Sequence, residues 1–324
     1  MLNVYYKEQE NKFHVTIFAV AVILLSSTLI TTSLYLKGLE AREISLNNEK
    51  LLAKVTVIKE DPFKDISLIA KAAYVYDINS KKTIYSFNAE ESLPLASLTK
   101  LMTALTAADL VPSYTVVKIK KEFLTSTTGN ELYADEEWKL EDLINYSLLI
   151  SSNEGSKAIA SVVGAIDLGT DKLNIGREEF IRKMNVKAKE IGLTKTSFSN
   201  ESGLDESSTK GGAYGSAKDV AILMQYISQR YPELISATKY SDYKFTSLDN
   251  IVHNGQNTNY EVGVLPGIIA SKTGTTPLAG GNLVVVYNTE NNHKLAISIL
   301  GSTADGRYSD LKKLIETSAK YYEN

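Results

Sequence analysis

The sequence has no cysteine, which excludes disulfides, thiolate catalysis and cysteine-ligated metals. Histidine is nearly as scarce. His14, His253 and His293 are scattered along the chain. They form no H-E-x-x-H or comparable metal-ligand spacing. A Ser–His triad would have to use His253 or His293, and no G-x-S-x-G elbow supports one. Positive charge is not in excess. The 35 basic residues face 38 acidic ones, for a net charge of −3, so the basic footprint of a nucleic-acid-binding protein is missing. No repeat or low-complexity tract interrupts the 324 residues, a length that suits one large domain or two small ones. None of these features calls for a metal or any other cofactor.

Charge is also missing from one stretch near the start. Residues 14–36 read HVTIFAVAVILLSSTLITTSLYL. At about 1.5 Å per residue this run reaches roughly 34 Å, enough to cross a bilayer. It is expected to be a retained transmembrane anchor following a short cytoplasmic tail, residues 1–13. A cleaved signal peptide is the other reading, but its apolar core usually has only ~7–15 residues, and no A-x-A-like site follows. Lys7 and Lys12 precede the run, while Lys37 and Arg42 follow it. The positive-inside count is therefore even, and the side of the membrane must be argued from function. Residues 37–63 have helical composition with little apolar mass and read as a stalk, ending at Asp61-Pro62. The folded domain is expected over residues 64–324.

Within that domain, residues 72–79 and 83–88 are rich in β-formers around Ser80-Lys81-Lys82, a hairpin pattern. Leu98, Leu101, Met102 and Leu105 follow the i, i+3, i+4, i+7 spacing of a helix that begins at Ser97. Helices are expected over 140–150, 154–163, most of 172–204 with a stop at Gly192-Leu193, and 217–226. Long mixed connections run on to about Gly263. Residues 268–275, 282–288 and 294–300 return to strand patterns. In the last segment Leu311, Leu314, Ile315 and Tyr322 share one helical face. Strands at both ends flank a helical middle. The expected fold class is α+β, with one antiparallel sheet built from both ends of the domain, covered by the terminal helix, and an inserted helical region.

The chemistry centres on Ser97-Leu98-Thr99-Lys100. Residues three apart on a helix lie one above the other, and a lysine of lowered pKa can take the proton that a serine must lose to become a nucleophile. A backbone N–H in the first helical turn, where intrahelical partners are missing, suits a developing oxyanion. Ser-x-x-Lys also starts at Ser207, Ser236, Ser241 and Ser309, so context must single out Ser97. Ser151-Ser152-Asn153 lies between two expected helices, where Ser151 and Glu154 equally fit a capping box. Lys272-Thr273-Gly274 sits on a late strand, where a plain edge lysine beside a turn is the alternative. The order Ser97-x-x-Lys100, Ser151-x-Asn153, Lys272-Thr273-Gly274 is a known signature of serine β-lactamases and penicillin-binding proteins. Its three parts offer a nucleophile with its base, a hydroxyl with an amide, and a second cation beside a strand edge along which an extended peptide can lie.

From about Lys71 to Tyr322 the sequence resembles the low-molecular-mass penicillin-binding proteins of the D-alanyl-D-alanine carboxypeptidase family. The resemblance extends to Pro94-Leu95-Ala96-Ser97-Leu98-Thr99-Lys100-Leu101-Met102-Thr103, to Phe180-Ile181-Arg182-Lys183-Met184-Asn185, to residues 200–204, to Asn257-Thr258-Asn259 and to Lys272-Thr273-Gly274-Thr275-Thr276. It implies a serine β-lactamase/penicillin-binding-protein-like transpeptidase fold. It also implies that Ser97 is acylated by the penultimate D-Ala carbonyl of a peptidoglycan stem peptide, with Lys100 as its base and Ser151 as proton relay. Asn153 would bind the substrate amide, and the N–H groups of Ser97 and Thr275 would form an oxyanion hole. Lys272, Thr273, Gly274 and Thr275 would line the carboxylate end, where Arg307 is the family's late arginine or else a surface residue. β-Lactams would be covalent inhibitors, and the catalytic domain would face the cell wall. Many members carry a further β-rich domain and a C-terminal amphipathic anchor after the catalytic part, and residues beyond Tyr322 offer neither. Three other readings stay open. A D,D-endopeptidase would use the same residues. A β-lactamase is disfavoured because no E-x-x-L-N stretch lies between Asn153 and Lys272. A non-catalytic binder would have no need of an activated nucleophile.

Overall fold

A computed structural model of the chain describes residues 2–55, 61–124 and 132–323. Its contacts divide it into two units, Met1–Glu60 and Asp61–Asn324.

The first unit is one helix, α1 (Leu2–Val55). The apolar run lies inside it, and the helix continues without a break into the expected stalk. The segment Glu10–Lys50 is long and apolar enough to cross a membrane, a test that a signal sequence near the N-terminus also passes. The hydroxyls of Ser26, Ser27, Thr28, Thr31 and Thr32 all donate to carbonyls three or four residues back. Their polarity is thus satisfied within the helix, as a lipid environment demands.

The second unit opens with β1 (Ala72–Asp77) and β2 (Lys82–Phe87), the expected hairpin, with Lys81 turning at φ 56°. A short β3 (Leu93–Pro94) leads through a 3-10 turn, Ala96–Thr99, into α2 (Lys100–Leu110). Next come β4 (Val116–Lys118), β5 (Glu137–Lys139), α3 (Leu140–Leu149), α4 (Asn153–Leu168) and α5 (Leu173–Glu190). They are followed by β6 (Ser197–Phe198), β7 (Ala213–Gly215), α6 (Ala217–Arg230), β8 (Asp242–Thr246) and β9 (Val252–Gln256). The last elements are β10 (Ile268–Thr276), β11 (Gly280–Asn288), β12 (Lys294–Ser302) and α7 (Gly306–Glu323).

The main sheet has the order β10-β11-β12-β1-β2, and all its neighbours are antiparallel. Strands from both ends of the domain therefore meet at β1 and β12, as expected. Their apolar runs follow from burial on both faces. On β11, Leu283 and Val285 pack with Leu311 and Leu314 of α7, whereas Val284 and Val286 point into the larger core beneath α2 and α6. This places β10, with Lys272-Thr273-Gly274, at the free edge of the sheet.

Four details differ from the sequence reading. The α-helix begins at Lys100, so Ser97 lies in a 3-10 turn rather than in the first α-turn. Helix α2 is not one-sided: every residue from Lys100 to Ala107 is buried, which marks a central helix. Helix α5 stops at Glu190, and residues 197–198 pair in a small sheet. The stretch before Gly263 holds a 3-10 segment, Pro232–Lys239, and the β8–β9 hairpin. That hairpin lacks a two-residue glycine turn and is not signalled by sequence.

Candidate active site

The Ser97 segment is shaped by backbone strain. Ala96 adopts φ 49°, a left-handed conformation that costs a residue with Cβ about 1–2 kcal/mol. The 3-10 turn that follows is closed by the Thr99 hydroxyl donating to Ala96 O at 2.7 Å. Ser97 remains half-buried and accessible. Lys100, only 1% exposed, places its Nζ 2.8 Å from Ser97 Oγ, 2.8 Å from Asn153 Oδ1 and 3.0 Å from the Ser202 carbonyl. An ammonium has three donors, and all three are used here. Burial pulls the Lys100 pKa down to about 7, against the opposing charge of Glu201. In the other four Ser-x-x-Lys stretches, Lys210, Lys239 and Lys244 are exposed and Lys312 is half-exposed and paired with Glu261.

The capping-box reading of Ser151 does not survive. Ser152 is the N-cap of α4, and its hydroxyl accepts from Gly155 N at 3.0 Å. Ser151 stands outside the helix with φ 65°, and its Oγ accepts from Lys272 Nζ at 2.9 Å. Ser151 is thus bonded to Lys272 rather than to Lys100. Asn153 is the first residue of α4 and turns its carbonyl to Lys100.

Lys272 is not a plain edge lysine either. It is 1% exposed and donates also to Thr273 O at 2.9 Å. Burial, then the charges of Lys100 and Arg307, hold its pKa well below the ordinary lysine range. Thr273 Oγ1 meets Thr258 Oγ1 at 2.6 Å, while Thr275 is exposed on the strand. Gly274 is required by close approach: a Cβ there would press on Leu95 O and Ser97 N. Arg307 is not a surface arginine. It is 7% exposed, and its Nη1 donates to Gly274 O (3.1 Å), Thr275 Oγ1 (2.9 Å) and Asn282 O (3.3 Å), with Nη2 on the Tyr308 hydroxyl (3.0 Å). Ser97, Lys100, Ser151, Asn153, Lys272, Thr273, Gly274, Thr275 and Arg307 are therefore brought together in one cluster that holds three basic side chains. Such a cluster suits an anionic substrate end.

Sequence reasoning marked residues 200–204 as part of the family resemblance without giving them a role, and did not single out Asn282; both build the site. The Ser202 carbonyl is delivered by the 200–204 turn, where Asn200 Oδ1 accepts from Gly203 N at 2.6 Å. Gly203 has φ 81°, and a Cβ there would collide with Ala96 O. Asn282 donates to Pro94 O and Leu95 O at 2.9 and 3.1 Å. The N-x-S-G pattern of that turn is a local signal that the sequence does carry. Asn282, which acts on backbone 187 residues away, offers none.

A sequence profile of D-alanyl-D-alanine carboxypeptidases matches residues 56–304. The chain belongs to this family. It is 30% identical over 264 residues to D-alanyl-D-alanine carboxypeptidase DacF of Bacillus subtilis, covering 78% of this chain and 63% of that protein. It is 28% identical over 258 residues to the D-alanyl-D-alanine endopeptidase of Escherichia coli, covering 76% of this chain and 77% of that one. Among solved structures, Penicillin-Binding Protein D2 from Listeria monocytogenes in its ampicillin-bound form superposes with a TM-score of 0.64 at 26% identity. That match covers 78% of this chain and 98% of the other. The chain thus spans rather less than two thirds of the length of DacF and has the penicillin-binding-protein fold, with the sheet and helices described above.

Proposed function

We propose that this chain is a membrane-anchored, serine-type D-Ala-D-Ala carboxypeptidase that removes the terminal D-Ala of peptidoglycan stem peptides. One observation carries the reading: a fully buried lysine, Lys100, has its Nζ 2.8 Å from the Ser97 hydroxyl. When Lys100 is neutral, its two N–H groups have two pure acceptors, Asn153 Oδ1 and Ser202 O. Its lone pair is then left for the Ser97 proton. Ser97 Oγ attacks the penultimate D-Ala carbonyl while its proton passes to Lys100. The oxyanion is met by the N–H groups of Ser97 and Thr275. The C–N bond breaks as Ser151, held by Lys272, gives its proton to the departing D-Ala amine and is reprotonated with the proton that Lys100 had taken, so that Lys100 is neutral again. Water then attacks the ester carbonyl, giving a proton to neutral Lys100, which returns it to Ser97 Oγ as the C–O bond breaks; the shortened peptide leaves as its acid and Ser97 is regenerated. Asn153 holds the substrate amide. Lys272, Thr273, Thr275 and Arg307 face the terminal carboxylate, with Gly274 admitting the close approach. No cofactor takes part in this scheme.

β-Lactams, which mimic the D-Ala-D-Ala end, acylate the same Ser97; the ampicillin-bound form of the Listeria relative supports this. The proposed parts are a cytoplasmic tail (1–13), an anchor in the cell membrane (14–36), a stalk (37–63) and a catalytic domain (64–324) on the cell-wall side. The satisfied hydroxyls of the apolar helix and the location of peptidoglycan support that order. The test uses the full chain in detergent micelles, with a peptide ending in D-Ala-D-Ala and a fluorescent penicillin. Release of D-Ala and a covalent label on Ser97, both lost in Ser97→Ala, are expected. A label retained by Ser97→Ala would overturn the assignment.

A second reading, a D,D-endopeptidase acting on cross-links, is favoured by one observation. The chain is 28% identical over 258 residues to the E. coli D-alanyl-D-alanine endopeptidase. Labelling without D-Ala release, together with cleavage of cross-linked muropeptides, would select it.

A further inference from the structure

Beside the candidate base lies a buried carboxylate that the scheme above does not use. Glu201 is 3% exposed and immediately precedes Ser202, whose carbonyl accepts from Lys100 Nζ at 3.0 Å. An isolated carboxylate in such a place is costly. Here it is met by Arg177, from the second turn of α5, whose Nε and Nη2 both lie 2.8 Å from Glu201 Oε2. The same turn is tied to α2 by the Thr103 hydroxyl, which donates to Glu201 O at 2.7 Å.

We propose that the Arg177–Glu201 ion pair is a positioning device for Lys100: it fixes the turn that presents the Ser202 carbonyl and keeps a compensated negative charge beside the lysine. The inference rests on Lys100 serving as the base for Ser97. Around Lys100 and this pair stand Lys272 on β10, Arg307 on α7, and Glu154 and Lys157 on α4. The two α4 residues line, with Arg177 and Glu201, a cavity of about 270 Å³ that opens beside Asn153. Lys157 is engaged with the Glu122 carbonyl at 2.8 Å, and Lys272 with Ser151 and Thr273. Glu201 is the carboxylate whose charge reaches Lys100, and Arg177 is its direct partner. Arg177 is about one third exposed and touches no reacting atom, so it acts only through Glu201.

Two substitutions should move the site in opposite directions. Arg177→Met leaves the Glu201 charge uncompensated, which favours protonated Lys100 and shifts the acid limb of Ser97 acylation to higher pH. Glu201→Gln removes the charge, keeps the side-chain shape, and shifts the limb to lower pH. Each shift should be roughly half to one pH unit, or about three- to tenfold in rate on the acid side. The double variant should follow Glu201→Gln, and Arg177→Lys should return the limb towards wild type.

The experiment measures the second-order rate of fluorescent-penicillin labelling from pH 5 to 9. It uses the full chain in detergent micelles, for wild type and these four variants. A fall in rate with an unshifted limb, or shifts of the same sign in both single variants, would reduce the pair to a structural brace and overturn the inference. Wild-type labelling at Ser97 tests the parent reading separately: without it both fall, and with it only the positioning role is at stake.

Discussion

Asn282 offers the sharpest test of how the Ser97 segment is held. Its side chain is fully buried. It donates to Pro94 O and Leu95 O and accepts from Gly301 N at 2.8 Å. Asn282→Ala orphans three backbone groups. Leu95 is 1% exposed, so its carbonyl bears the full desolvation cost, while Pro94 and Gly301 are half-buried. At about 1–3 kcal/mol for a fully buried group and less for the others, the loss should be about 2–4 kcal/mol. For a unit of this size that corresponds to about 5–15 °C in Tm. Asn282→Asp should be worse, because it sets a carboxylate against two carbonyl oxygens in a dry site. The assay is thermal unfolding followed by tryptophan fluorescence. The chain has one tryptophan, Trp138, buried in the folded unit, so the signal is free of the apolar helix. Penicillin labelling should slow in both variants, since Asn282 and Gly274, paired across β10 and β11, both contact the backbone that leads into Ser97. An Asp variant as stable as wild type, or an Ala variant labelled at the wild-type rate, would refute the argument.

Two further predictions concern protons. With Lys100 near 7 and required in its neutral form, the wild-type labelling rate should fall about tenfold per pH unit below pH 6 and level off above pH 8; a flat profile from pH 5 to 8 would remove Lys100 as the base. Asp77 is buried, which alone would raise its pKa, but hydrogen bonds from Tyr322, Ser80 and His293 outweigh burial and lower it from 3.8 to about 2. A depressed carboxylate stabilises the fold above its unfolded pKa, and that contribution is lost as pH falls through the folded one. About 2 kcal/mol should therefore disappear between pH 5 and pH 2 in wild type but not in Asp77→Asn, and equal acid sensitivity in urea unfolding of the two would show that Asp77 contributes nothing to it.

The sheet was legible because its strands alternate or run apolar and because they lie at the two ends of the domain. The helical middle followed from periodicity. The β8–β9 hairpin was not legible: Val252 is exposed and only Phe245, His253 and Gly255 point inward, too little alternation to read. Among site residues, the three motifs could be read because each contributes a reacting or charged side chain at a fixed spacing. Their distinction from look-alikes could not. Lys100 differs from Lys210 or Lys244 by burial alone, and burial depends on α3, α4 and the 200–204 turn closing over it.

What escaped the sequence is how the main chain before Ser97 is held. Ala96 carries no turn signature, yet it holds a positive φ at the residue before the nucleophile. Such strain persists only where the surroundings over-determine it, and here three separate elements do so. Gly203 closes on the Ala96 carbonyl, Gly274 lies against Leu95 O and Ser97 N, and Asn282 grips the carbonyls of Pro94 and Leu95. Two of these contacts require the absence of a Cβ and the third is a side-chain amide, so none shows as charge or as apolar periodicity. The same three contacts explain why Ser97 sits in a 3-10 turn rather than in a regular helix. With Gly274 against its backbone nitrogen, Ser97 is pressed toward the edge strand, and Lys100, one turn on, opens the buried helix directly beneath it. Relaxing Ala96 into ordinary helical φ would draw the Ser97 backbone away from β10, where Thr275 lies. The strain before Ser97 is therefore part of how the Ser97 side chain is positioned.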